Sequence, residues 1–235
     1  MPYLQFISDK NLITAVDKVV KTIEKAEHEA NTSFHKNVID PFSALFHGVT
    51  RAIKYTEWIE QEKARQSQKT MQNAIGKFHQ DILGSINGWE DLGTGAILDV
   101  CNKKMKIIAE VKNKHNTTKG NHKIEIYDTI KSKLKTKEYS DFTGYHVEVI
   151  PKSKKEYDKP FTPPDNKTKK RRPTNKKIRV IDGVSFYELA TGRKNALKKL
   201  FEALIRILVD KYKYKLDKKE ALKYTELFKM AFPIK

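Results

Sequence analysis

The stretch AILDVCNKKMKIIAEVKNKHNTTKG, residues 96–120, decides how this chain is read. AILDV and MKIIAEV are short, β-rich runs separated by Asn102-Lys103-Lys104, a pattern that predicts a hairpin. Side chains alternate along a strand, so Glu110 and Lys112 project from one face of the second run. Ile107, Ala109 and Val111 project from the other and can pack on a helix. An acid and a lysine set among apolar strand residues are costly to bury without a compensating partner. Loop parity then decides what joins them. A connecting loop with an even number of residues brings Asp99, in the first strand, to the face of Glu110 as a diagonal neighbour; an odd loop without a bulge sends it to the opposite face.

In the even register, the carboxylates of Asp99 and Glu110 and the backbone carbonyl of Val111 form an oxygen set that suits Mg²⁺, which keeps its remaining positions for water and phosphate oxygens. Lys112 beside that ion could orient or deprotonate a water and offset charge in a phosphoryl transition state. Phosphodiester hydrolysis can require acceleration of about 10¹⁷-fold, or roughly 20 kcal/mol of barrier. A lone lysine does not supply that much, whereas a metal that polarises the phosphate and generates hydroxide contributes the larger part. E-x-K in a strand is short and frequent, and more often a surface ion pair than a site. The acid in the preceding strand and the order of the surrounding elements give it weight.

Working outward, residues 9–30 carry an apolar helical stripe of Leu12, Val16, Val19, Val20, Ile23 and Ala26. Asp40-Pro41 reads as an N-cap followed by proline at the first helical position. Phe42, Leu45, Phe46, Val49 and Ile53 form that helix's apolar face. A mostly polar helical stretch follows from Thr56 to about Gln72, its apolar face resuming at Ile75, Phe78 and Ile82. Gly84, Gly88, Gly93 and Gly95 end it. Beyond the hairpin, Gly120 to about Lys135 has helical spacing through Ile124, Tyr127, Ile130 and Leu134. YHVEVI (145–150) and IRVI (178–181) predict further strands. Ser185–Ala190 predicts a short helix ending at Gly192, and residues 194–212 a strongly amphipathic one. Asp217 and Glu220 form a capping pair that opens the last helix. The expected fold is a mixed α/β domain with a central sheet of at least four strands flanked by helices. Residues 1–87 are expected as an N-terminal helical region packed on a core of residues 88–235, the two making one compact domain.

The 235 residues carry 47 Lys and Arg against 29 Asp and Glu, a net charge of +18. Residues 1–95 hold 11 basic and 12 acidic side chains and residues 96–235 hold 36 and 17, so the whole excess sits in the C-terminal 60%. That asymmetry points to a polyanionic partner, nucleic acid ahead of a mere solubility device, reached from one side. The connection 152–177 concentrates it, with 11 basic and 3 acidic residues and four of the eight prolines. Connections longer than about 12–15 residues in a compact domain are usually functional or disordered. The reading here is an arm meeting phosphates or base edges, partly ordered by its prolines, Phe161 and Thr162. Arg171 and Arg172 are its sharpest points. Asn113, Lys114, His115, Asn116 and Lys119 follow the second strand of the hairpin, as contacts to phosphate or as polar turn residues.

Other classes drop out. One cysteine, Cys101, makes no internal disulfide and fits a reducing compartment. No apolar run approaches the roughly 20 residues of a membrane span, and the N-terminus lacks a signal sequence's basic start and long apolar stretch. A cytoplasmic, bacterial-type protein is expected. The seven histidines lack metal-finger spacing, with His115 and His122 taken as loop residues and His146 and Glu148 as a strand-face pair. No G-x-x-x-x-G-K-[ST] is present, so no nucleotide cofactor is expected.

The ILDV…IIAEVKNKHNT arrangement resembles the D…(D/E)-x-K core of the PD-(D/E)XK nuclease superfamily, with Leu98 where the name has proline. Longer stretches, NVIDPFSALF (37–46), GWEDLGTG (88–95), AEVKNKHNTTKG (109–120), KPFTPPDN (159–166) and RRPTNKKIRVIDGVSFYELATG (171–192), resemble type II restriction endonucleases that cut GGNCC or GGWCC sites. The resemblance implies a Mg²⁺-dependent homodimer that cleaves both strands of a near-palindromic site, with Asp99, Glu110 and Lys112 at the core positions. For a further helix-borne acid, Glu57, Gln80 and Glu90 are candidates. The competing readings are a junction-resolving or repair nuclease on the same core, and a basic DNA-binding protein without catalysis. Strand scission separates the last from the others.

Overall fold

The computed structural model describes residues 1–93, 95, 98–118, 120–165 and 168–233. Among them are seven α-helices and one six-stranded mixed sheet. The strands are β1 (Glu90–Asp91), β2 (Val100–Asn102), β3 (Ile107–Lys114), β4 (Thr143–Ile150), β5 (Asp158–Pro160) and β6 (Ile178–Asp182), arranged in the order β1-β2-β3-β4-β6-β5. The helices are α1 (Asp9–Thr32), α2 (Pro41–Arg51), α3 (Tyr55–Gly84), α4 (Gly120–Leu134), α5 (Gly183–Thr191), α6 (Ala196–Tyr212) and α7 (Lys218–Ala231). The chain divides into two compact units, Thr14–Phe78, and Met1–Ile13 with His79–Lys235.

The larger unit carries the sheet. Its centre, β3-β4-β6, is parallel, while β1, β2 and β5 pair antiparallel at the two sides. Parallel neighbours need a long crossover, and α4 provides the one between β3 and β4. Its Ile126, Tyr127 and Ile130 pack with Ile108, Ile178 and Val180 on one face of the sheet. Gly144 fixes how closely α4 approaches, because a Cβ there would stand 2.2 Å from Ile130 Cγ2. On the opposite face, Tyr145 meets Phe186 of α5 at 5.8 Å between ring centroids, and Trp89 meets the same ring at 5.5 Å.

The parallel register lays the α4 face out in rows. Ile108, Gly144 and Ile178 form the first, Glu110, His146 and Val180 the second, and Lys112, Glu148 and Asp182 the third. The face turns from apolar to polar towards the carboxyl ends of the strands, the edge where open parallel sheets place their ligands.

The capping signals read from sequence behave as expected. Asp40 accepts from the amides of Phe42 and Ser43, with Pro41 at the first helical position, and Asp217 accepts from Glu220 N–H at 2.8 Å. Gly192 closes α5 in the left-handed conformation. The connection 152–177 contains β5 and a bridge between Pro164 and Arg171, so it is more ordered than a bare loop. In the smaller unit, Ala26, Ala30 and Trp58 are buried, whereas α2 has no buried residue.

Candidate active site

The hairpin loop is Lys103–Lys106, four residues against the three read from sequence at Asn102–Lys104; it starts one position later and ends two later, with Lys106 in a left-handed φ of 56° before β3 starts. Four is even, and the ladder Asn102↔Ile107, Cys101↔Ile108, Val100↔Ala109 follows. Its continuation sets Asp99 opposite Glu110, closer than the diagonal placement expected from sequence. Asp99 itself lies one residue before β2. Its N–H donates to the Ala109 carbonyl at 3.0 Å, and its Oδ2 accepts the Val111 N–H at 2.7 Å. The side chain thus replaces a ladder acceptor, which turns the carboxylate onto the β3 backbone between Glu110 and Lys112.

Glu110 and Lys112 share the α4 face, with Lys112 Nζ 2.6 Å from Glu110 Oε1. Both are largely shielded, their side chains 12% and 25% exposed. Glu110 also lines a cleft of about 150 Å³ with Leu98 and with His122, Glu125, Ile126 and Thr129 of α4. Glu125 is therefore the helix-borne acid that shares a cleft with Glu110. Sequence reading named Glu57, Gln80 and Glu90 instead. Glu57 caps the start of α3 by accepting from Lys54 N–H, and Glu90 faces Lys103 at 3.5 Å. The signal for Glu125 was the turn spacing from His122 in the helix that follows β3. His122 lies in the first turn of α4, which corrects its assignment to a loop.

A second polar group stands on the neighbouring strand. Glu148, 7% exposed, accepts from Lys123 Nζ of α4 and from Tyr157 Oη, each at 2.6 Å, and His146 Nε2 lies 3.4 Å away. Burial pushes the Glu148 carboxyl up, but contacts with His146, Lys123 and Tyr157 outweigh it and hold the group at about 2. Burial holds His146 below its ordinary value, with Glu148 opposing, and its ring stacks on Phe161 at 4.8 Å. His146 and Glu148 share a strand face, as the alternation required. Tyr157 is also tied through its N–H to Asp182 Oδ2 at 2.7 Å. The start of the basic connection is therefore fastened to the polar end of the sheet. Sequence reading did not find Lys123 or Tyr157, whose partners come from residues 25 and 9 positions away.

Asp99 and Glu110 can be tested as a cation site on this geometry. Both are hard oxygen donors at one strand edge. A residue in a β-ladder sends its N–H and C=O towards the same neighbour, so the Val111 carbonyl leaves β3 on the side where Asp99 is bonded. Among the described residues, no cluster of three or more His, Cys, Asp and Glu side chains is arranged to hold a metal. Two carboxylates and one backbone carbonyl are oxygen donors of the kind a hard divalent ion takes, its shell completed with water and substrate oxygens.

The expected DNA contacts divide. Asn113 and Lys114 belong to β3 itself, and Asn113 is buried with Oδ1 lacking a hydrogen-bond partner. His115 extends the pairing through its N–H to the Ile150 carbonyl, and Asn116 is exposed in the following turn. Lys119 lies outside the described residues. Arg171 is exposed, with Nε 3.4 Å from Thr162 Oγ1. Arg172 is engaged within the protein: Nη2 is 2.5 Å from Asp128 Oδ2 on α4, and Nη1 is 3.2 Å from Asp165 Oδ2. Tyr127 Oη adds a bond to the Pro173 carbonyl at 2.7 Å.

The mixed sheet and the strand hairpin sit in a chain that resembles known nucleases in sequence. The class is type II restriction endonuclease, a site-specific deoxyribonuclease. The chain belongs to the Eco47II restriction endonuclease family, which matches residues 4–212 and so spans the hairpin and the basic connection. It is 42% identical over 206 residues to the type II restriction enzyme Eco47II of Escherichia coli, covering 87% of this chain and 86% of that protein. It is 30% identical over 202 residues to the type II restriction enzyme Sau96I of Staphylococcus aureus, covering 84% and 77%. No helix among the described residues is long and apolar enough to cross a membrane.

Proposed function

We propose that this restriction endonuclease is a cytoplasmic, Mg²⁺-dependent homodimer that cuts both strands of duplex DNA at GGNCC or GGWCC-like sites. Asp99, Glu110 and the Val111 carbonyl hold the ion, and Lys112 serves the hydrolysis. The observation that carries this reading is the Asp99 Oδ2 contact with Val111 N–H at 2.7 Å, on the residue between Glu110 and Lys112, whose side chains form an ion pair. When bound, Mg²⁺ supplies polarisation of the scissile phosphate and a more acidic water.

The chain's own groups do the positioning. Glu110 orients the Lys112 ammonium through their ion pair. Lys112 donates to the attacking water or to a non-bridging phosphate oxygen, where negative charge accumulates as the bond to phosphorus forms. Arg171, on the exposed part of the basic connection, reads guanine. Lys114, His115 and Asn116 lie along the phosphates, and the lysines of the basic connection draw the duplex in by counterion release. Tolerance at the central base pair needs no contact there if the step is read by deformability.

The test is digestion of a plasmid of known sequence with Mg²⁺, followed by sequencing of the ends. The expected result is discrete fragments whose ends share GGNCC or GGWCC, and no cleavage in EDTA. A smear would favour a structure-directed nuclease, and an uncut plasmid that still binds would favour a DNA-binding protein without catalysis.

A further inference from the structure

Helix α2 presents an exposed apolar stripe. Phe42, Leu45, Phe46 and Val49 follow the i, i+3, i+4, i+7 spacing of one helix face and are 71%, 70%, 69% and 83% exposed. Val38, just ahead of the helix, is fully in solvent as well. With about 150–250 Å² per aromatic side chain and somewhat less for Leu and Val, the stripe offers on the order of 500 Å² of apolar surface. That is near the upper end of what a monomer exposes in one patch, roughly 300–600 Å².

We propose that this stripe is the surface through which two copies of the chain associate. The inference rests on the nuclease reading above and adds the place of contact. A near-palindromic duplex has a two-fold axis, and the protein that matches it joins through the same patch on each copy. A helix ridge of residues four apart packs against an identical ridge. Two such stripes bury about 1,000 Å² of apolar area, and their rims bring the total into the roughly 1,200–2,000 Å² of specific interfaces.

Charge selects the second copy and this face. Each copy carries +18, so two copies repel except where the surface is poor in charge. Among residues 41–51 the one formal charge is Arg51, at the helix end, and residues 1–95 together carry 11 basic against 12 acidic side chains. A second group of exposed apolar side chains, Leu222, Leu227 and Met230 of α7, stands among Lys218, Lys219, Lys223 and Lys229, which makes that face a poor place for two cationic molecules to meet.

The experiment is sedimentation velocity of the full chain without DNA, comparing wild type, Phe46→Asp and the α7 control Leu222→Asp. The expected result is a dimer for wild type and the control, and a monomer for Phe46→Asp with unchanged helical circular dichroism, a weakening of self-association by at least 100-fold. Phe46→Cys, oxidised at low protein concentration, should give a covalent dimer, because buried Cys101 is the sole native cysteine. This second variant answers the question if Phe46→Asp fails to fold. A monomeric wild type, a Phe46→Asp protein that remains dimeric, or dissociation by Leu222→Asp alone would overturn the proposal. The plasmid digest separates this failure from that of the nuclease reading: a monomeric wild type that still gives discrete fragments removes the interface and leaves the enzyme.

Discussion

Asp99 Oδ2 and the Val111 backbone N–H lie 2.7 Å apart, so the carboxylate both completes the β3 ladder and stands beside Glu110. These two roles can be separated by substitution. Asn keeps a side-chain oxygen to accept the N–H but loses the negative charge that a cation needs. Ala removes both and leaves the N–H unpaired, at a cost of about 1–3 kcal/mol. Asp99→Asn is therefore expected to melt near the wild-type temperature yet fail to linearise plasmid. Asp99→Ala should be inactive and melt lower, by about 2–4 °C per kcal/mol for a chain of this size. Cleavage by Asp99→Asn at the wild-type rate would remove Asp99 from the cation site.

Lys112 is set by Glu110 at 2.6 Å, and its ammonium is the cation of the E-x-K pair. Lys112→Ala is expected to slow cleavage by at least about 10²–10³-fold, the usual loss when one transition-state donor is removed. Specific binding in EDTA should stay within a few-fold of wild type. Single-turnover cleavage and a gel-shift titration measure the two separately. Equal loss in both would make Lys112 a binding residue with no share in the chemistry.

Arg171 and Arg172 are adjacent in sequence but differ in environment. Arg172 is held by Asp128 and Asp165, tying the basic connection to α4, whereas Arg171 faces solvent. Arg171→Gln should weaken binding to the cognate site by about 1–3 kcal/mol, the value of a bidentate base contact, with the melting temperature unchanged. Arg172→Gln should instead release the connection, seen as faster tryptic cleavage between residues 152 and 177 of the free protein. Loss of cognate affinity from Arg172→Gln alone, with proteolysis unaltered, would reverse the two assignments.

The hairpin was legible because its information is local. The two-residue side-chain period puts Glu110 and Lys112 on one face without any distant contact, but the parity that decides the face of Asp99 was open in the sequence, because the left-handed turn at Lys106 that makes the loop four residues leaves no mark there. Capping by Asp40 and Asp217 was legible for the same reason. What stayed hidden depends on partners far apart in sequence. Arg172 looked available for a base because Asp128 is 44 residues away, and its capture follows from α4 packing beside the connection. The strand Asp158–Pro160 was concealed by its proline and charges, which suit an edge pairing with β6 but resemble a loop when read alone. The stripe on α2 carried the opposite ambiguity: its period announced an apolar face, and a single chain does not say what covers it.

Acid stability should show two windows with separate owners. His79, whose Nδ1 lies 2.9 Å from Tyr187 Oη, is held down to about 4 by burial, from an ordinary 6.5. A histidine depressed in the folded state is neutral there while the unfolded chain takes up protons, so its stabilisation is full above 6.5 and is lost as pH falls towards 4. His146, lowered by burial against Phe161 despite Glu148, works in the same direction. Glu148 is depressed from 4.5 to about 2, so its contribution is full above 4.5 and disappears between 4.5 and 2. Thermal melts at intervals from pH 7.5 to 3 should therefore fall first below 6.5 and again below 4.5. His79→Gln should flatten part of the upper fall and His79→Gln with His146→Gln most of it, with the lower fall intact, while Glu148→Gln should reduce the lower fall. An upper fall unchanged in the double histidine variant would assign the acid sensitivity to other groups.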